Sequence, residues 1–476
     1  MHHSSSAPIT DLKDRLMTLR SAFLDQPEPS LTDRLRDLRT LKLQIQRHHS
    51  ALCDAVQQDF GRRAHAETKI AELVPVLETL DYIQHQLKQW MQPKKRTLSW
   101  LLKPAQAWVH YQPLGVVGIM SPWNYPIQLT LIPLIYALAA GNRVFLKLSE
   151  YTPHTAHLLE KLLSDIFPQD KVSLICGDVE ISEAFAKLPF DHLFFTGATS
   201  TGKKIMGAAA ENLTPVTLEL GGKSPVIIGP DADIAAACHA IAFGKSINAG
   251  QTCIAPDVLL CTRKDYEAIV KQLTQSIQQL YPKGIESEDY TNIISKHHLA
   301  RLDHLLADAQ KKGARITALN PASELLTHSN KRPITLVSDL QENMAIAQDE
   351  IFGPWLAVVI YNKLDEAISY VNQRPRPLAL YYFGQTTTDI QKIIQQTRSG
   401  GVCVNDMLSH VAASDLPFGG IGASGMGQYH GPEGFQTFSH AKPIYQKGFI
   451  NPIRWIYPPW NKRIQKLLFD QYFHLK

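Results

Sequence analysis

The sequence predicts an α/β protein built from two doubly wound parallel-sheet domains and a small β arm. Three observations predict it. First, short strand-like runs alternate with helix-length runs from Leu114 to about Gly400; strands separated by helices of that length pair in parallel and are covered on both faces. Second, the alternation restarts after Pro215, which divides it into two units. Third, "QPKKRTLSWLLKPAQAWVHYQP", from Gln92 to Pro113, breaks it with prolines and β-formers and reads as an extended hairpin. A chain of 476 residues is long enough for two such units, each with its own core.

The first ninety residues read as helices. A capping box, Ser30 with Asp33, opens a segment with Leu31, Leu35, Leu38, Leu41 and Ile45 on one face, and a second helical pattern runs from Ala66 to Trp90. Strand "LGVVGIM" then leads through the loop "SPWNYP" to a helix ending at Ala140. "RVFLKLS" precedes a helix from Thr152 to Phe167. "KVSLICG", a short helix and "HLFFTG" follow, then a helix after Gly197. Beyond Pro215, "PVTLEL" and "SPVIIG" are strands and "ADIAAACHAIAFGKSIN" is a buried helix; "DVLLCT", "LAVVIY" and "LALYYFG" are further strands, each followed by a helix. After Gly400 the glycine-rich "LPFGGIGASGMGQYHGPEGF" suits a wrapping segment whose backbone passes close to other groups. The tail sets Trp460, Ile464, Leu467, Leu468 and Leu475 on one helical face, with Lys462, Arg463 and Lys466 elsewhere. A helix docked on the body is preferred to one lying on a membrane surface.

Composition excludes several classes. Apolar content of 44% with 19% charged residues is that of an ordinary globular protein, and a net charge of +4 gives no footprint for nucleic acid. Six cysteines lie far apart with no C-x-x-C pair, against a zinc ribbon or disulfide framework and in favour of a reducing, cytoplasmic setting. The N-terminus has no apolar signal-peptide core, and the longest apolar stretch, "LTLIPLIYALAAG", is too short to span a bilayer.

Four stretches carry possible chemistry. "TGATSTGKK" follows a strand and opens a helix, where free amides bind phosphate. It misses the P-loop pattern because Lys204 stands where a hydroxyl should ligate magnesium, and it misses G-x-G-x-x-G because Thr199 replaces a glycine. What remains is Gly197, Thr199 and Gly202, equally compatible with a plain strand-to-helix connection. Cys176, Cys238, Cys261 and Cys403 sit inside apolar runs as small hydrophobes, whereas Cys253, in "NAGQTCIAP", is flanked by Gly250, Gln251 and Thr252, a polar loop suited to a solvated thiolate. Glu219 interrupts the apolar strand before Gly221 and Gly222; burial would raise its pKa toward that of a general base, and an exposed place on one strand face is an equal alternative. Asn124, stiffened by Pro122 and Pro126, is placed either as a turn residue or as a rigid oxyanion donor.

Together these stretches resemble the aldehyde dehydrogenase superfamily. "SPWNYP", "LKLSEYTP", "FTGATSTGKKIM", "TLELGGKSP", "NAGQTC", "DEIFGP" and "LPFGGIGASGMG" occur in that family's order, and "YHGPEGFQTFSH" is similar to its class 3 branch, in particular the bacterial coniferyl aldehyde dehydrogenases. The resemblance implies oxidation of an aldehyde to an acid, with Cys253 as nucleophile, Asn124 and the Cys253 amide as oxyanion donors, and Glu219 as the base that hydrolyses the thioester. It also implies a dinucleotide, with the Gly197–Gly202 loop near the pyrophosphate, Lys147 and Glu150 at the adenosine ribose, Glu350 at the nicotinamide ribose, Phe352 near the ring, and no metal. A carboxylate at position 150 favours NAD, with NADP possible. Ala198 and Leu148 depart from the family's usual residues and remove a side-chain phosphate contact and a stiffening proline.

The implied domains are a cofactor domain over 1–92 and 113–214, a catalytic domain over 215–400, a bridging arm over 93–112 and 401–450, and a tail helix over 451–476, with the arms joining a homodimer. His410 is implied as a tunnel residue; aromatic aldehydes such as coniferaldehyde and medium or long aliphatic ones are both open. Two other readings remain: a P-loop NTPase, which leaves Cys253 and Asn124 without a purpose, and a non-catalytic dinucleotide-binding protein on the same fold, which need not retain nucleophile, base and amide together.

Overall fold

A computed structural model describes residues 9–320 and 329–473; Leu475 of the expected tail face lies outside them. Among the described residues, two open sheets stand side by side. The first runs in the order Gly425–Met426, Val216–Glu219, His192–Thr196, Val116–Met120, Arg143–Leu148 and Val172–Cys176. Its members are parallel except for the Gly425–Met426 edge. Strand order reverses on either side of Val116–Met120, so a crevice opens where the carboxyl ends of Val116–Met120 and His192–Thr196 diverge, the place where open α/β sheets bind ligands. The loops bearing Asn124 and Gly197 leave those two strand ends.

The second sheet has seven strands: Arg315–Ala318, Thr335–Ser338, Trp355–Tyr361, Val258–Thr262, Pro225–Ile228, Ala379–Phe383 and Gly401–Val404. Only the first of these is antiparallel to its neighbour. Five-residue runs such as "VVGIM" and "HLFFT" are buried along their whole length because helices cover both faces. The helix Gln128–Ala140 is apolar all round, and residues 129–140 are all buried. Burying Leu131, Leu134 and Ile135 contributes about 1.5–3 kcal/mol each. The amphipathic helix Leu31–Arg47 lays Leu38, Leu41 and Ile45 into the same core, and Ser30 caps it by accepting from the Asp33 amide.

Three expectations are corrected. The boundary at Pro215 falls one strand early, because Val216–Glu219 pairs with His192–Thr196 in the first sheet before the chain crosses over. The 401–450 stretch is not one arm. Gly401–Val404 is an edge of the second sheet, Gly425–Met426 pairs with Leu218 and Glu219, and only Ser439–Gln446 joins Lys94–Arg96 and Gln106–Pro113 in a three-stranded antiparallel sheet. The tail helix Arg463–Phe473 does not dock its apolar face: Trp460 and Leu467 are exposed, and its one buried residue, Gln465, bonds back to Tyr457 and Lys462.

Candidate active site

The site is assembled from segments at the carboxyl ends of first-sheet strands and loops at the amino ends of second-sheet strands. Asn124, Gly197, Glu219, Cys253, Glu350 and Phe352 line one cavity of ≈ 320 Å³. The six come from five separate segments and converge only in the fold.

Asn124 is buried. Its side-chain amide donates to the Gln251 carbonyl at 3.2 Å, and its own carbonyl accepts from Asn248 Nδ2 at 2.9 Å and Arg63 Nη1 at 3.1 Å. An amide NH₂ has two hydrogens, so one remains for a ligand. The turn before Cys253 is strained: Asn248, Ala249 and Gly250 all hold positive φ, 51°, 50° and 72°. Strain of this kind persists only where surroundings over-determine it. Here Asn248 bonds to Asn124 and Gln251, while Gln251 Nε2 donates to the Asn248 and Asn292 carbonyls and Gln251 Oε1 accepts from the Ile294 amide.

This turn is therefore not the solvated polar loop the sequence suggested. Gln251 and Thr252 are buried because their polar groups point inward to satisfy backbone, and Thr252 Oγ1 meets the Tyr125 hydroxyl at 2.7 Å. Burial pushes the Cys253 thiol up to about 12, and the Glu350 and Glu219 carboxyls push the same way. Backbone amides at Cys253 and Ile254 pull the other way, and burial remains the largest cause.

Glu219 ends its strand buried at 3% exposure, and neither carboxyl oxygen has a hydrogen-bond partner among the described residues. Desolvation holds its pKa well above the ordinary carboxylate value. Its backbone carbonyl accepts from the Gly197 amide at 3.0 Å, fixing its strand to the glycine loop. Of the two readings offered by the sequence, the buried one is correct.

The glycine loop leads into the helix Thr199–Ala210, whose first turn has no side-chain cap because its N-cap residue is Ala198. Its leading amides are thereby left for an anion. Thr199 Oγ1 is committed to the Ala423 carbonyl at 3.0 Å. Gly202 serves packing: a Cβ there would meet Leu220 at 2.6 Å. Lys147 and Glu150 form an ion pair at 3.1 Å at the end of strand Arg143–Leu148, with the lysine buried and the glutamate at the surface. They stand apart from the cavity that holds Cys253.

Glu350 lies over Gly221, where an added Cβ would sit 2.2 Å from its carboxyl oxygen, so only glycine fits beneath it. Burial and Asp257 raise Glu350 to about 7. Phe352 has a positive φ of 46° and packs edge-on against Trp123 at 5.4 Å. Arg301 fastens this loop by donating to the carbonyls of Glu350, Ile351 and Phe352. Arg301 and His298, which also line the cavity, escaped the sequence reading because a basic residue on an amphipathic helix looks like part of a solvated face. His410 lies outside this cavity, packed near Tyr381 at 5.8 Å and Phe418 at 6.2 Å.

A thiol, a buried carboxyl and a rigid amide line one cavity beside a dinucleotide-type crevice, the arrangement of an oxidoreductase site. The chain belongs to the aldehyde dehydrogenase family, whose model matches residues 9–444. A probable coniferyl aldehyde dehydrogenase of Pseudomonas aeruginosa is 49% identical over 98% of this chain and 97% of its own. The "aldehyde dehydrogenase, dimeric NADP-preferring" of Rattus norvegicus is 37% identical over 93% and 96%. Among solved structures, the substrate-bound state of Staphylococcus aureus AldH matches with a TM-score of 0.91 at 35% identity, covering 97% of this chain and 99% of the other. A Mycobacterium tuberculosis aldehyde dehydrogenase complexed with NAD+ matches at 0.83 and 28%, covering 93% and 91%. The protein is an aldehyde dehydrogenase and binds a nicotinamide dinucleotide. Among the described residues no helix is long and apolar enough to cross a membrane.

Proposed function

We propose that this enzyme oxidises aromatic aldehydes of the coniferaldehyde kind through a covalent intermediate on Cys253, with NAD as oxidant. The convergence of Cys253, Glu219 and Asn124 on one cavity carries the mechanism. Cys253 Sγ bonds to the aldehyde carbon as its proton passes to water. The oxygen of the resulting thiohemiacetal takes its negative charge between the free Asn124 hydrogen and the Cys253 amide. NAD, when bound, supplies the hydride acceptor. What remains on Cys253 is a thioester; Glu219 removes a proton from water as that water attacks the carbonyl, and the acid leaves with the thiol restored. The 49% identical relative, named for coniferyl aldehyde, supports the aromatic substrate. With purified enzyme and NAD, kcat/KM for coniferaldehyde is expected to exceed that for decanal by about tenfold, ~1.4 kcal/mol; the reverse order would move the substrate class to aliphatic aldehydes.

The residues fit the cofactor. The uncapped helix after Gly197 suits a pyrophosphate, Lys147 and Glu150 a ribose, and Glu350 and Phe352 the nicotinamide end. Glu150 would accept from a 2′-hydroxyl and repel a 2′-phosphate. Glu150→Gln is therefore expected to raise the NADP/NAD ratio of kcat/KM by about tenfold or more; an unchanged ratio would remove Glu150 from cofactor choice.

The exposed strand Ser439–Gln446 and the uncovered Trp455, Trp460, Phe469 and Phe473 suit a homodimer in which a second copy covers them. Sedimentation velocity showing only monomer would count against it. The six free cysteines suit the cytoplasm, checked by cell fractionation.

A further inference from the structure

A buried ionic group lies behind the site, on a segment to which the reaction assigns no part. Arg63 has no exposed surface, and its guanidinium meets two carboxylates, Glu72 at 3.0 Å and Glu67 at 3.7 Å. Glu67 lies in the helix His65–Thr68, and Glu72 in the π-helical turn Lys69–Leu73 that joins it to the helix Val74–Trp90. Turns of this kind recur at functional sites.

Each member of the group holds a different part of the site. Arg63 Nη1 donates to the Asn124 carbonyl at 3.1 Å, and its guanidinium covers the Tyr125 ring at 4.8 Å. Tyr125 in turn meets Thr252, the residue before the nucleophile. Glu72 accepts from the amides of Ile127 at 2.7 Å and Gln128 at 3.1 Å, so it fixes the far end of the Asn124 loop. Glu67 reaches the other way. It accepts from the Asn248 amide at 2.6 Å, inside the left-handed turn, and from Thr291 Oγ1 at 2.8 Å.

Asn124 follows a strand of the first sheet, whereas Cys253 precedes a strand of the second. Two loops rooted in different sheets have no common backbone to set their separation. The ionic group grips both. A buried charged group is costly to assemble and strongly disruptive when one member is removed, which suits a device that defines one geometry.

We infer that Arg63, Glu67 and Glu72 are positioning residues of the aldehyde oxidation, setting the distance between the Asn124 amide and the Cys253 turn. The inference rests on the reading of Asn124 as the oxyanion donor. None of the three lines the cavity, so they act through Asn124 and Asn248 and touch no substrate.

The test is a mutant cycle on the full-length enzyme with NAD and coniferaldehyde. Arg63→Met alone strands two buried carboxylates, so the main variant is the charge-balanced Arg63→Met/Glu72→Gln. Glu67→Gln, which keeps an oxygen for the Asn248 amide, is the second. Misplacing a catalytic group by about 1 Å costs on the order of a hundredfold. The charge-balanced pair is expected to lower kcat by about ten- to a hundredfold, with the Kd for NAD, read by fluorescence titration, within about twofold of wild type. In an Asn124→Ala background the same pair is expected to cost almost nothing further, because its effect runs through Asn124. A general structural role would instead add to the Asn124→Ala loss. Glu67→Gln, with the Asn248 contact kept, is expected to hold kcat within about threefold of wild type; full additivity, or wild-type kcat in a folded pair variant, overturns the inference. Wild-type kcat in Asn124→Ala alone overturns the oxyanion reading beneath it.

Discussion

Cys253→Ala is expected to lower the rate of reduced-cofactor formation by about 10⁵-fold, ~7 kcal/mol of transition-state stabilisation, while NAD binding is kept. The size follows from the role: without sulfur on the aldehyde carbon there is no tetrahedral adduct from which hydride can leave. Alanine at Cys261, buried in a strand of the second sheet, is the control and should leave kcat within about twofold once the protein is folded. The pH dependence follows from the site's electrostatics. Burial raises the Cys253 thiol to about 12, so the thiolate fraction in the free enzyme grows as pH rises through the neutral range. The first-turnover rate is expected to rise with pH, by up to tenfold per unit where the thiol limits it. Stopped-flow measurement of reduced cofactor between pH 6.5 and 9 checks both. A Cys253→Ala enzyme retaining a tenth of wild-type turnover would place the nucleophile elsewhere.

Glu219→Gln is expected to separate the two halves of the reaction. Glutamine fills the same volume but cannot take a proton from water, so steady-state kcat falls by about 10²- to 10⁴-fold while a burst of one reduced cofactor per site survives. Loss of the burst along with the steady state would assign Glu219 to acylation instead. The same change should stabilise the fold. The folded pKa of Glu219 lies above its unfolded value, so burial costs nothing in ionisation at low pH, and wild-type stability is lost as pH rises toward the folded pKa. Glutamine escapes that loss. The Tm advantage of Glu219→Gln is therefore expected to be small at pH 5 and larger at pH 8. An advantage that shrinks with rising pH would mean that Glu219 is stabilised as a carboxylate.

The alternation of strands and helices was legible because each strand, buried on both faces, is a continuous apolar run, as in "HLFFT" and "VLLCT". Strand pairing was not legible, because it is decided by residues far apart. Val216–Glu219 looks like the start of a new unit and is the end of the old one; its other partner, Gly425–Met426, lies two hundred residues on. The four-residue strands Arg315–Ala318, at the sheet edge, and Thr335–Ser338, beside it, carry too little pattern to be read.

At the site, Glu219 and Asn124 stood out because a polar residue interrupts an apolar or proline-stiffened context, and Cys253 because, unlike the other cysteines, it lies among polar residues; the fold brings those three together. Arg63, Glu67, Glu72 and Arg301 did not stand out. Charged residues in helical sequence look solvated, and only packing shows that Arg63 has no exposed surface. The turn before Cys253 misled for the converse reason: Gln251 and Thr252 look like surface residues, yet their hydrogen bonds are satisfied inside. The tail misled because a helix with an apolar stripe promises docking, and this one leaves its stripe uncovered within a single chain.

The covalent step is tested most directly by mixing Glu219→Gln enzyme with NAD and coniferaldehyde, quenching in acid, and measuring the mass of the peptide that contains Cys253. A thioester is predicted there: the peptide gains the aldehyde's acyl group in place of the thiol hydrogen, at close to one equivalent per site. An unmodified Cys253 peptide in enzyme that has formed one equivalent of reduced cofactor would contradict the mechanism.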